Sequence, residues 1–414
     1  MAVGNLRSTV GAMNSITNTL PELLSPAGNL EKLQLAYRYG ADAAYVGGRV
    51  FGLRKYADNF TTDELRVAVE LANRLGKQLY VVLNGFAHDV DLDELRPHLD
   101  DLESIKPHGF IISDWGVAQV ARQHTSIPLH VSTQASVTNW RTVAAWKAFG
   151  AARVILAREV SVRDCEAILE RCPIELEIFI HGSMCASYSG KCVISNYSAG
   201  RDSNRGGCVQ SCRHEYQLKP VGDGSVTSSH LMNAKDLMGV RQIEAAIRAK
   251  IASLKIEGRM KSNLYVANAT AVYRDAIDYI VECIAANMAL DTKILLDFES
   301  RLSAVSNRTF SDGGLYHRPD ADSILTTFGG YQKSVEIAAT VKANDKDRWL
   351  LHSKNPLFVG AALRNQRTSD STEVRSLADL LGTPIEKGHA GGIVWAQLSK
   401  APAIGDILVT PEGN

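Results

Sequence analysis

Four thiols, Cys185, Cys192, Cys208 and Cys212, form the group in this 414-residue sequence best suited to chemistry. Six, fifteen and three residues separate them in turn, and segment 198–207 between the two pairs is rich in glycine, asparagine, serine and arginine. Such a segment can fold back and bring the pairs together. Four thiolates near one another suit a tetrahedral zinc or an iron–sulfur cluster. Zinc ribbons usually carry two tight C-x-x-C knuckles, so spacings of six and three favour a cluster.

The other three of the seven cysteines read differently. Cys165 and Cys172 fall on one apolar helical stripe and Cys283 on another, so all three are expected to be small buried hydrophobes. Hydrolytic and nucleotide signatures are missing from the sequence: no G-x-S-x-G elbow, no second histidine after His214-Glu215, no phosphate loop and no G-x-G-x-x-G.

The elements that must position the thiols follow a βα rhythm. Strands are predicted near 22–25, 43–46, 78–83, 109–113, 129–133, 153–157, 176–180 and 253–257, with amphipathic helical stretches between them. Many of these stretches open on Asn, Thr or Ser and close on glycine, as helix caps do. Eight such strands fit a (β/α)8 TIM-like barrel, with an open doubly wound sheet as the runner-up. In a barrel the loops after the strands form the active face. The longest, 182–236, follows the seventh strand and carries all four thiols.

Alternation along the strands turns polar residues toward the barrel axis: Glu177, Phe179 and His181 on the seventh, Lys255 and Glu257 on the eighth, and His130, Ser132 and Gln134 on the fifth. His181, Lys255 and Glu257 are therefore the catalytic candidates. The plainer alternative is an interior polar pair, Lys255 with Glu257 or Glu177. After the eighth strand a long helix and a polar stretch lead to a segment rich in Gly, Asp and Ser, and then to short alternating runs typical of a small antiparallel β-barrel or sandwich. The expected layout is a flexible tail at 1–20, a catalytic domain at 21–310, a linker at 311–332 and a small β domain at 333–414.

Forty-five basic and forty-five acidic side chains cancel, which excludes a chain that attracts nucleic acid through overall charge. Any such contact must be local. Between 182 and 219, Lys191, Arg201, Arg205, Arg213 and Lys219 face only Asp202 and Glu215, and Arg259 and Lys261 leave the eighth strand alongside. Arg205, Arg213, Arg259 and Lys261 are the candidates for holding an anionic substrate. An ordinary solvated loop is the alternative. No membrane span is legible, the first eighteen residues do not read as a secretory signal, and an odd cysteine count points to a reducing, cytoplasmic setting.

Glu177, Phe179, Gly182, Ser183, Met184, Cys185, Gly190, Cys192, Ile194 and Ser195 reproduce the pattern E-x-F-x-x-G-[SA]-[LIVM]-C-x4-G-x-C-x-[LIVM]-S. With PELLSPAGNLEKLQLAYRYGADAAYVGG, LMNAKDL, SLKIEGRMKS and the β-rich tail, the chain resembles the collagenase-like peptidase family U32 over nearly its whole length. It is most similar to the branch that hydroxylates the wobble uridine of tRNA to 5-hydroxyuridine. The resemblance implies a (β/α)8-like catalytic domain and a [4Fe-4S] cluster on Cys185, Cys192, Cys208 and Cys212. It also implies tRNA as partner and prephenate as the oxygen source in place of dioxygen. Two other readings stay open: a peptidase of unassigned mechanism, and a non-catalytic RNA-binding protein with structural zinc.

Overall fold

The computed structural model describes residues 20–49, 52–53, 58–222, 224–327 and 330–410. Apart from Leu20, the tail expected at 1–20 lies outside these residues. The chain alternates β1 (Glu22–Pro26), α1 (Leu30–Arg38), β2 (Ala43–Gly47), α2 (Thr62–Leu75), β3 (Gln78–Leu83) and α3 (Asp89–Ile105). It continues through β4 (Gly109–Ile112), α4 (Trp115–His124), β5 (Leu129–Val131), α5 (Trp140–Phe149), β6 (Arg153–Ile155), α6 (Val162–Arg171) and β7 (Glu175–Gly182). Side-chain caps start the helices where the sequence places them: Thr61 and Glu64 bond reciprocally at α2, as do Ser161 and Asp164 at α6.

The insertion after β7 holds α7 (Ile194–Ala199), the hairpin β8 (Tyr216–Leu218) and β9 (Thr227–Ser229), and β10 (Asp236–Met238), which runs antiparallel to β7. Then follow α8 (Ile243–Arg248) and β11 (Ser253–Ile256), the eighth barrel strand. β11 pairs in parallel with both β1 and β7, so the eight strands close into a TIM-like barrel and the open sheet is excluded. Strand interiors are buried on both faces, as a parallel sheet wrapped in helices requires.

α9 (Asn263–Ala285) lies across β1 and packs on α1, α8 and α10 (Thr292–Ser303), so its first half is buried all round. The polar stretch of the sequence reading is thus a helix. The stretch expected as a linker is held against the barrel: β12 (Phe310–Ser311) pairs with β10, Leu315 is buried, and Val162 N donates to Leu315 O at 3.0 Å.

Beyond it stand β13 (Ile337–Asp345), β14 (Arg348–Ser353), β15 (Leu357–Phe358), β16 (Ala362–Asn365), β17 (Ser371–Ala378), β18 (Pro384–Ile385), β19 (Lys387–Gly388), β20 (Ile393–Leu398) and β21 (Ile407–Val409). Seven of these form one antiparallel sheet with its own apolar core. The sheet is tied to the barrel through Asp406, whose buried carboxylate accepts from Arg38 at 2.7 Å, Arg367 at 2.9 Å and Asn365 at 2.7 Å. Burial alone would raise its pKa, but these donors hold it down at about 2. A depressed carboxylate stabilises the fold above its unfolded value of about 3.9 and loses that contribution as pH falls toward 2. Amide exchange at 365–367 and 403–407 should therefore quicken as pH is lowered through this window, relative to α2 amides. Unchanged relative protection would contradict the assignment.

Candidate active site at the barrel mouth

Two cavities meet at the carboxyl ends of the strands. The axial one is lined by apolar Tyr45, Leu53, Val82, Ile111 and Phe179 and by polar Asn84, Ser132, Thr133, Gln134, Arg158, Lys255, Glu257 and Arg259. Its mix of an apolar wall and convergent polar groups is that of a small-molecule site. The second is the cysteine cleft, where Cys185, Cys192, Cys208 and Cys212 share a wall set with Arg158, Arg213 and Arg308. Leu53, Gln134 and Arg158 line both.

Below the axial pocket a buried ionic network crosses the barrel. Arg153 Nη1 donates to Glu22 at 2.6 Å and to Glu177 at 3.2 Å, and Lys255 Nζ donates to Glu177 at 2.8 Å. Tyr80 and Ser253 also donate to Glu22. Burial alone would raise the Glu177 pKa, yet the Lys255 ammonium and Arg153 guanidinium outweigh it and hold the carboxyl below its ordinary value. Burial pushes His130, beside Arg153, down to about 3, so it stays neutral.

The cysteine insertion is fastened onto the mouth by specific contacts. Ser136 Oγ donates to Ser189 O at 2.5 Å, Ser189 N donates to Glu159 at 2.9 Å, and Phe86 N donates to Asn204 O at 3.0 Å. Asn204 in turn donates to Cys192 O at 3.0 Å. The four thiols are unpaired, Cys185 exposed and the rest half-buried. Burial raises the Cys212 thiol above its ordinary range, with Arg213 opposing. Among the described residues no three His, Cys, Asp or Glu side chains are arranged to hold a metal ion. Cys165, Cys172 and Cys283 are buried in helix packing, as their stripes indicate.

A sequence model of peptidase family U32 matches residues 28–325. The chain belongs to family U32. The tRNA hydroxylation protein P1 of Bacillus subtilis (strain 168) is 44% identical over 285 residues, covering 67% of this chain and 68% of that one. The tRNA hydroxylation protein P of Escherichia coli (strain K12) is 35% identical over 385 residues, covering 78% and 83%. The 23S rRNA 5-hydroxycytidine C2501 synthase of the same organism is 38% identical over 263 residues, 63% of this chain and 40% of that one.

Within this U32 chain the expected site residues divide. Lys255, Glu257 and Arg259 line the axial pocket, but His181 does not. Its ring lies 5.6 Å from Tyr265 and 5.3 Å from Tyr273, both on α9, and its Nδ1 is 3.2 Å from the Tyr273 hydroxyl. The β7–β11 register slips here: Lys255 faces Phe179 while Ile256 faces His181, skipping Ile180. That bulge breaks the strict alternation on which the axial placement rested. Buried beside Lys261, His181 is pushed down to about 3 and stays neutral.

The expected anion-binding residues are largely engaged by the protein itself. Arg205 donates to Asp91 at 2.5 Å and to Phe86 O at 2.8 Å. Arg213 bonds Ala234 O at 2.6 Å, Asn233 at 3.0 Å and Met184 O. Lys261 sits 3.7 Å from Asp236 and 4.0 Å above the Tyr331 ring. Arg259 is seated by glycine: a Cβ at Gly47 would fall 2.0 Å from its Nη1. Sequence reasoning missed Arg158 and Arg308. The signal for Arg158 was present, since it leaves the carboxyl end of a barrel strand. Arg308 comes from far along the chain and carries no local signal.

Proposed function

We propose that this chain is an RNA-modifying enzyme that hydroxylates the wobble uridine of tRNA to 5-hydroxyuridine. The observation that carries the proposal is the shared wall: an axial pocket lined by convergent polar groups opens beside a cleft of four thiols, on the face where barrels keep their chemistry. The relatives' names point the same way.

The thiol set suits a [4Fe-4S] cluster. A cluster would be held by thiolates that form no disulfide and line one cleft. Its donors would be Cys185, Cys192, Cys208 and Cys212, and the Arg158, Arg213 and Arg308 guanidiniums along the cleft offset the negative charge of four thiolates. When bound, such a group supplies one-electron redox chemistry.

The remaining work falls to side chains. Arg259 and Arg158 bring positive charge to the pocket for prephenate, the proposed oxygen source. Asn84, Ser132 and Gln134 offer hydrogen bonds to a substrate, while Tyr45, Val82, Ile111 and Phe179 exclude water from one side. Glu257 stands at the mouth as the carboxylate able to take a proton.

The test is nucleoside analysis of tRNA from a deletion strain lacking any paralogue, complemented with the wild-type gene or with Cys185→Ala. Wild type should restore 5-hydroxyuridine and the variant should leave it at least roughly tenfold lower, a loss worth about 1.4 kcal/mol or more in the transition state. Equal restoration would sink the proposal. Anaerobically purified protein should be brown and carry iron and sulfide; colourless protein with one zinc would contradict the cluster.

A further inference from the structure

We infer that Arg158 is the residue that grips the anionic end of the small co-substrate, at the partition between the axial pocket and the cysteine cleft. The inference rests on the proposed reaction for the identity of the co-substrate, but its geometry is independent of that reading. Arg158 borders both cavities. Its Nε and Nη1 are buried and have no hydrogen-bond partner among the described residues. Leaving a buried polar group unsatisfied is costly, and more so for a charged one. The fold does not spend this guanidinium on itself, in contrast to Arg205, Arg213 and Arg308, which are all bonded to protein groups.

The side chain is nonetheless held in place. Its guanidinium carbon lies 4.3 Å over the Phe179 ring, which fixes the plane of the donor fork. Its backbone N donates to Ser189 Oγ at 3.1 Å, so the insertion that carries the thiols also sets the arginine. A planar fork held on an aromatic face and short of acceptors fits a carboxylate.

Two neighbours strengthen the assignment. Of the other two pocket cations, Lys255 and Arg259, Lys255 is already matched by Glu177 at 2.8 Å, so it offers less to a ligand. Thr133 Oγ1, on the pocket wall, is buried and likewise lacks a partner, which provides a second donor for the same group. The apolar wall of Tyr45, Val82, Ile111 and Phe179 then favours an organic acid over inorganic phosphate.

Arg158→Met and Arg158→Lys test this by calorimetric titration of prephenate into purified protein without RNA, with inorganic phosphate and uridine monophosphate as comparison ligands. Wild type should bind prephenate in preference to both. Arg158→Met should bind it on the order of 10- to 100-fold more weakly, as expected for a hydrogen bond to a charged group. Arg158→Lys, which keeps the charge but not the fork, should fall between. Because Nε and Nη1 make no hydrogen bond among the described residues, Arg158→Met should lose only the contact with the Phe179 ring and melt close to wild type. Where turnover is measurable, the Met variant should raise the KM for prephenate and leave the KM for tRNA unchanged. Equal prephenate affinity in wild type and Arg158→Met overturns the role of Arg158 alone. Absence of prephenate binding by wild type overturns the co-substrate assignment together with it.

Discussion

Glu177→Ala should cost about 3–5 kcal/mol of stability, because it leaves the buried Lys255 ammonium without its carboxylate. Glu177 is fully buried and accepts from Lys255 at 2.8 Å and Arg153 at 3.2 Å. Both donors are themselves almost wholly enclosed. Removing Glu177 strands Lys255, whereas Arg153 keeps its bonds to Glu22 at 2.6 Å and Glu175 at 2.9 Å. Urea unfolding of the purified variant measures the loss, and a variant within about 1 kcal/mol of wild type would show that the network does not bear on stability.

The pH dependence gives a second reading of the same pair. Lys255 and Arg153 hold the Glu177 carboxyl below its ordinary value. A depressed carboxyl contributes stability above its unfolded pKa of about 4.3 and loses it as pH falls. The gap between wild type and Glu177→Gln should therefore be widest near neutrality and narrow below about pH 4.

Gly190→Ala should detach the cysteine insertion from the barrel while the barrel itself stays folded. Gly190 has φ +74°, and a Cβ there would meet the Gln134 carbonyl oxygen at 1.9 Å. Both the left-handed backbone, worth roughly 1–2 kcal/mol against an L side chain, and the clash with rigid backbone oppose the substitution. Gln134 borders both cavities, so the contact lies where they join. The expected outcome is faster proteolysis within 183–212, an iron content and 5-hydroxyuridine yield at least roughly tenfold lower, and an unchanged melting temperature. Gly200→Ala is the control: its φ of +63° is also left-handed, but nothing lies within 4 Å. It should incur the backbone cost alone. Wild-type proteolysis and yield in Gly190→Ala would refute the anchoring role.

Much of this molecule was legible in one dimension because its elements obey local rules. All eight barrel strands fall within about two residues of their predicted positions, since buried parallel strands are short apolar runs and the helices between them carry side-chain caps. The antiparallel tail was read for a similar reason: strands such as β17, Ser371–Ala378, roughly alternate exposed and buried residues. Segment 311–332 looked like a linker because glycine and aspartate dominate it, but such composition cannot report that Leu315 packs into the barrel core.

The site divides along the same line. By itself the sequence determined the barrel pattern, the loop that bears the thiols and the four cysteines in it, because each depends on residue type and spacing along the chain. Tertiary structure alone decided which charges face the pocket. It turned His181 outward through a one-residue bulge, chose Glu177 over Glu257 as the partner of Lys255, bound Arg205 to Asp91, and left the fork of Arg158 short of acceptors. Long side chains choose partners by distance in space, over separations of 78 residues for Lys255 with Glu177 and 114 for Arg205 with Asp91. No periodicity along the chain encodes that choice.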